Sequence, residues 1–106
     1  MNINIKATKT TLTPSIKRFI QDKLDIISKF IREEDKIHVE VEADKKHNSG
    51  LVFRAEILIH PHGYYADARG EDFYSAMDAA TLKIKEQLAK AKDKKVSQRR
   101  ERQKRA

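Results

Sequence analysis

The chain has 106 residues, 39% hydrophobic and 37% charged, with a formal net charge of +7, which fits one domain with a single small core and a heavily solvated surface. There is no cysteine, which excludes a disulfide framework and a thiolate metal site and fits a reducing cytosol. No apolar run is long enough for a secretory leader or a membrane span, so the expected location is cytoplasmic, with no membrane partner.

"NINIKA" alternates Ile3, Ile5 and Ala7 with Asn2, Asn4 and Lys6, the period of a half-buried strand. "TLTPSIKRF" opens a helix, with Thr13 as N-cap and Pro14 at the first helical position. Ile16, Phe19, Ile20, Leu24, Ile27, Phe30 and Ile31 fall on one helical face, giving a core stripe that ends near Arg32. Lys23 lies inside that arc, where a long stem can snorkel at the edge of a core.

"DKIHVEVEAD" is a second alternating strand, with Ile37, Val39, Val41 and Ala43 on its apolar face. The turn "KKHNSG" leads to a third strand, "LVFRAEILIH", with Phe53, Ala55, Ile57 and Ile59 inward. After a second turn, "HPHG", the segment "YYADARG" forms a fourth strand with Tyr64, Ala66 and Ala68 inward. Gly70 breaks it, and Asp72 caps a long second helix whose stripe is Phe73, Met77, Ala80, Ile84, Leu88 and Ala91. From Val96 the apolar content almost vanishes, and a disordered basic tail is expected over residues 96–106. The order β-α-β-β-β-α, with one apolar face per strand, predicts an α+β two-layer sandwich, a four-stranded sheet with both helices on one face. The first helix is a right-handed crossover that makes strands one and two parallel if they are neighbours.

Charge is distributed unevenly along this order. Residues 83–106 hold eleven Lys or Arg against three acids, while residues 1–82 hold twelve bases against thirteen acids. A near-neutral body with a basic end points to a polyanionic partner, nucleic acid first, although a solvated helix and tail account for the same charge. With Lys83 at 0° on a helical wheel, Lys90 and Lys94 fall within about 20° of it and Lys85 and Lys92 lie at about 180–200°. Basic rows therefore flank the core stripe on both sides. Dipole effects fade beyond one turn, so they do not account for lysines spread over three turns. Few aromatics accompany these rows, which favours backbone or shape recognition of folded RNA or duplex over stacking on single strands.

A catalytic site is not expected. His60, His62 and nearby Asp67 form the one group resembling a metal or catalytic cluster, and a Pro-Gly turn explains "HPHG" without a metal. His38 and His47 sit on other segments. No nucleophile triad spacing or phosphate-binding glycine loop stands out. No enzyme activity, cofactor, metal or small-molecule substrate follows from the sequence.

The segment "GEDFYSAMDAATLKIKEQLAKAKDK" resembles the ribosome hibernation-promoting factors, also called ribosome-associated inhibitors or sigma-54 modulation proteins. Glu71, Asp72, Tyr74, Ala76, Asp78, Ala79, Ala80, Lys83, Gln87, Leu88, Lys90, Lys92, Asp93 and Lys94 match that family's signature in register. Upstream, "LTPSIKRFIQDKLDIISKF" is similar to the family's first helix, including Thr13, Pro14, Lys23 and Leu24. The resemblance spans residues 1–95 and implies a fold similar to a double-stranded-RNA-binding domain. It implies binding to the small ribosomal subunit and its rRNA at the decoding region. Occupancy there excludes tRNA and mRNA and silences translation in starvation or stationary phase. Carried onto matching positions, rRNA binding falls on Lys23, Lys83, Lys90, Lys92 and Lys94. Lys85 joins them on position alone, and Arg99, Arg100, Arg102, Lys104 and Arg105 form an auxiliary basic tail.

Glu86 and Ala89 stand where the family usually has a basic residue, and Ala7 and Thr8 where it has Gly followed by Arg or Lys. Lys6, Lys9 and Lys85 offer replacement charge. The expected organisation is a ribosome-binding domain over residues 1–95 and a tail over residues 96–106, without the dimerisation domain of long family members. A general RNA-binding regulator without ribosome preference is the alternative, because basic helix faces grip many RNAs.

Overall fold

The computed structural model describes the backbone of residues 2–104 except 32–33, 47–49 and 62, and the side chains of those residues except 45–46, 50–51 and 92–104. The elements follow the expected order: β1 (Asn2–Thr8), α1 (Pro14–Ser28), β2 (Lys36–Lys46), β3 (Gly50–His60), β4 (Tyr64–Gly70) and α2 (Phe73–Lys104). The sheet order is β1-β2-β3-β4. β1 runs parallel to β2, with Ile3 opposite Ile37 and Ile5 opposite Val39, and the other two pairings are antiparallel hairpins.

Both caps form as expected. Thr13 Oγ1 accepts the Ile16 N–H at 3.2 Å, and Asp72 Oδ1 accepts the Ser75 N–H at 2.7 Å. The turn between β3 and β4 closes through Gly63 N–H to the Ile59 carbonyl at 2.9 Å, with Gly63 at φ +81°, a conformation that disfavours a side chain.

One face of the sheet and one stripe of each helix make the core. Ile20, Leu24 and Ile27 of α1 and Met77, Ala80 and Ile84 of α2 are fully buried against Ile37, Ala55, Ile57 and Ile59 of the sheet. Burying each such aliphatic side chain contributes on the order of 1.5–3 kcal/mol. Phe19 meets Tyr74 edge-on at 4.8 Å and Phe73 at 6.1 Å, and Lys23 reaches Asp78 one turn further along both helices. The two helices therefore run in the same direction over the sheet.

Two expectations need correction. α1 ends at Ser28 rather than near Arg32, because the chain tightens into three-residue hydrogen bonds from Phe30 N–H to Ile27 O and from Ile31 N–H to Ser28 O. Phe30 thus leaves the core and is 49% exposed, while Ile31 remains packed against it. The second correction concerns the tail, since helical backbone continues through Val96 to Lys104 where disorder was expected. No Gly or Pro follows Gly70, and Lys, Arg, Gln, Glu and Ala are good helix formers. A helix nucleated by its buried half needs no further core to propagate along such a sequence.

Candidate nucleic-acid interface

α2 has 32 residues, about 48 Å at 1.5 Å per residue. Among the residues whose side chains are described its last buried one is Leu88, the helical backbone runs on to Lys104, and the molecule measures 61 × 29 × 19 Å. Among the described residues, no helix is long and apolar enough to cross a membrane.

The candidate lysines divide by what holds them. Lys23 Nζ lies 2.7 Å from Asp78 Oδ1 and 5.4 Å from the centre of the Phe19 ring, so it braces α1 against α2. Exposure of the two side chains, 32% and 53%, keeps this pair in the surface class, worth about 0.2–1 kcal/mol. Lys83 Nζ donates to the Asp67 carbonyl at 2.7 Å. One turn on, Gln87 Oε1 accepts the Tyr65 N–H at 3.3 Å and its Nε2 donates to the Tyr65 carbonyl at 2.6 Å. Tyr65 and Asp67 are alternate residues on the outer side of β4, which has no further strand beside it. Lys83 and Gln87 therefore cap the backbone of an edge strand that would otherwise be free to pair with another chain.

Lys85 and Lys90 make no hydrogen bond or ion pair among the described residues, and Lys90 is exposed while Lys85 is half-buried. They are the described lysines of α2 with ammonium groups available to a phosphate. The side chains of Lys92, Lys94, Arg99, Arg100, Arg102 and Lys104, and the whole of Arg105, lie outside the described residues, although the backbone from Lys92 to Lys104 continues the same helix. Lys85 and Lys90 are on different sides of α2, so an anion spanning the helix meets charge on both.

The opposite face of the sheet is mixed in charge. Arg54 Nη2 lies 3.1 Å from both Glu56 and Asp67 and donates to the Tyr65 hydroxyl at 3.2 Å. Burial pulls the Arg54 guanidinium down, but the Asp67 hydrogen bond and the charges of Glu56, Tyr65 and Asp67 outweigh it and hold it above its ordinary value. Glu40, Glu42 and Asp44 continue this face along β2. The open sheet face thus presents both signs of charge, unlike the basic rows of α2.

Sequence periodicity did not reveal the edge cap, the Lys23–Asp78 brace, or the contact of His38 with His60. His62 and His47 lie outside the described residues. Among the described residues no group of three or more His, Asp or Glu side chains is arranged to hold a metal.

Residues 3–96 match the Sigma 54 modulation protein / S30EA ribosomal protein family. The chain belongs to that family. Among relatives of the S30EA family, the ribosome hibernation promoting factor of Klebsiella oxytoca is 27% identical over 96 residues, spanning 89% of this chain and 96% of that protein. The factor of the same name from Escherichia coli K12 is 25% identical over the same shares. In fold, the chain is similar to the N-terminal domain of Thermus thermophilus Protein Y, with a TM-score of 0.63 at 22% identity over 83% of this chain and 96% of that one. A ribosomal subunit interface protein from Coxiella burnetii gives a TM-score of 0.65 at 21% identity over 88% and 99%. These likenesses agree with the α+β sheet-and-two-helix architecture described above.

Proposed function

We propose that this chain is a non-catalytic ribosome hibernation factor acting in the cytoplasm. It occupies the decoding region of the small ribosomal subunit, keeps tRNA and mRNA out, and inhibits translation in starvation or stationary phase. The observation that carries this reading is α2, a long helix whose backbone runs on to Lys104, with Lys85 and Lys90 unengaged among the described residues. The family membership and the relatives named ribosome hibernation promoting factor support it.

The mechanism is electrostatic and steric. Lys85, Lys90 and the basic residues beyond them neutralise rRNA phosphates, and such contacts position a protein without reading bases. The body then fills space that tRNA and mRNA require. Lys23 and Lys83 act less directly, because their ammonium groups already fix the two helices and the β4 edge. They contribute to the local positive potential and hold the binding helix at its angle. Glu86 lies between Lys85 and Lys90 in sequence and weakens the field there, so the footprint on rRNA differs locally from that of members with a base at this position.

The test combines sedimentation with competition. Replacing Lys85, Lys90 and Lys94 with Glu is expected to remove the protein from the small-subunit fraction while leaving its circular dichroism unchanged. Co-sedimentation at the wild-type level would overturn the proposal. Wild-type protein should also lose binding when tRNA and mRNA already fill the subunit. Binding unaffected by them would instead identify a general RNA-binding protein.

A further inference from the structure

The open face of the sheet holds a histidine pair that the proposed function does not use. His38 on β2 and His60 at the end of β3 are separated by 22 positions, and the β2–β3 register places Leu58 opposite His38 and Lys36 opposite His60. The two histidines are diagonal neighbours on one face, within reach of ring side chains. Their Nε2 atoms lie 2.7 Å apart, with ring planes 8° from parallel and ring centres 4.8 Å apart. These three values describe two nearly coplanar imidazoles facing each other through their Nε2 atoms, with one proton shared between them. Both rings are half-buried, so solvent reaches them.

We propose that His38 and His60 form a chelating site for a divalent transition-metal ion of tetragonal preference, with Cu²⁺ first. Imidazole nitrogen is a ligand for copper, nickel and zinc, and copper stands highest in general affinity order. Two nitrogens each about 2.0 Å from one ion are about 2.8 Å apart at a right angle and about 3.3 Å apart at the tetrahedral angle. The 2.7 Å separation is that of the hydrogen-bonded pair, and turning the two rings opens it to the span that an ion requires. The ion takes the place of the shared proton, and the rings turn until both lone pairs converge on it. The displaced proton passes through solvent to the bare Nδ1 of the ring that held it, so both imidazoles then carry one proton on Nδ1 and binding to the neutral pair releases none.

The surroundings allow this exchange. A depression of about 150 Å³ beside His38 is lined by Asn4, Lys6, Glu40 and Glu56, with room for the waters that complete the coordination sphere. Glu40 and Glu56 face each other across β2 and β3 and offset the positive charges of Lys6 and Lys36. Glu40 accepts from Thr8 Oγ1, and Glu56 pairs with Arg54. The carboxylates therefore act as neighbours rather than ligands, and the ion is held by two protein nitrogens.

The test is titration of the purified full chain with Cu²⁺ in a weakly coordinating buffer, read by calorimetry and electron paramagnetic resonance. One ion per chain is expected, with a spectrum showing two equivalent imidazole nitrogens. His38→Asn and His60→Asn should each weaken binding by at least about tenfold, the scale on which changes around a metal site act, and should reduce the nitrogen coupling. A double variant, His47→Asn with His62→Asn, should bind as wild type. Undiminished affinity in either single variant, loss of binding in the double variant, or no binding at submillimolar copper would overturn the assignment. Circular dichroism of each variant separates ligand loss from misfolding.

Discussion

Gly70 shows how a single residue joins the sheet to α2. A Cβ added there would lie 2.9 Å from Ala76 N, 3.0 Å from Ser75 Cβ and 3.2 Å from the Asp72 carbonyl. Two of these neighbours are backbone atoms of the capped first turn, which have little room to yield. Gly70→Ala reduces the entropy of the unfolded chain, a gain of about 0.4–1 kcal/mol. The clash opposes it with the cost of overpacking, about 1–3 kcal/mol. A net loss of about 1–2 kcal/mol is expected in chemical denaturation, and a stabilised variant would show that the turn shifts freely. Gln87 makes a different contribution, because its amide supplies a donor and an acceptor to Tyr65 as a neighbouring strand would. Gln87→Ala removes two partly solvated hydrogen bonds, and each such bond is worth about 0.5–1.5 kcal/mol net. The expected loss is about 1–2 kcal/mol, accompanied by concentration-dependent association visible in light scattering as the β4 edge opens.

At the scale of elements, periodicity carried the fold because every strand has one wet face and each helix one apolar stripe. Ile37, Val39 and Val41 alternate with His38 and Glu40 in sequence and in burial alike. The caps were equally legible, since Thr13 and Asp72 each stand directly before an apolar run. The end of α1 was not, because Phe30 and Ile31 continue the helical period while hydrogen bonding has already tightened. Nor was the end of α2, where falling hydrophobicity resembles disorder even though helix propensity persists. The candidate site was legible as charge on a helix and illegible as individual roles. Lys83 and Lys90 share one row of the wheel, yet Lys83 holds the Asp67 carbonyl while Lys90 is unengaged. Sequence spacing places a side chain on a face, and only tertiary neighbours decide what its end group meets.

For the whole molecule, the separation of charge from core decides what the proposed function predicts for a shortened chain. Leu88 is the last buried residue among the described side chains, and residues 83–106 carry eleven bases against three acids. Removing residues 96–106 takes away five of those bases and one acid, but no residue of the core cluster among the described residues. The truncated protein should therefore unfold at the same denaturant concentration as the full chain. Its binding to small subunits should weaken and become less salt-dependent, because each neutralised phosphate contributes about 0.7–0.9 to the slope of log K against log salt. About six phosphates neutralised by the full chain correspond to a slope of about −4 to −5, and every phosphate that the shortened protein no longer reaches brings it nearer zero by one such increment. Inhibition of translation in vitro should persist at higher protein concentration, since the excluding body and the first basic turns remain. Loss of inhibition at saturating truncated protein would instead assign the decisive role to Arg99, Arg100, Arg102, Lys104 and Arg105, and the lysines of α2 would then serve only to carry them there.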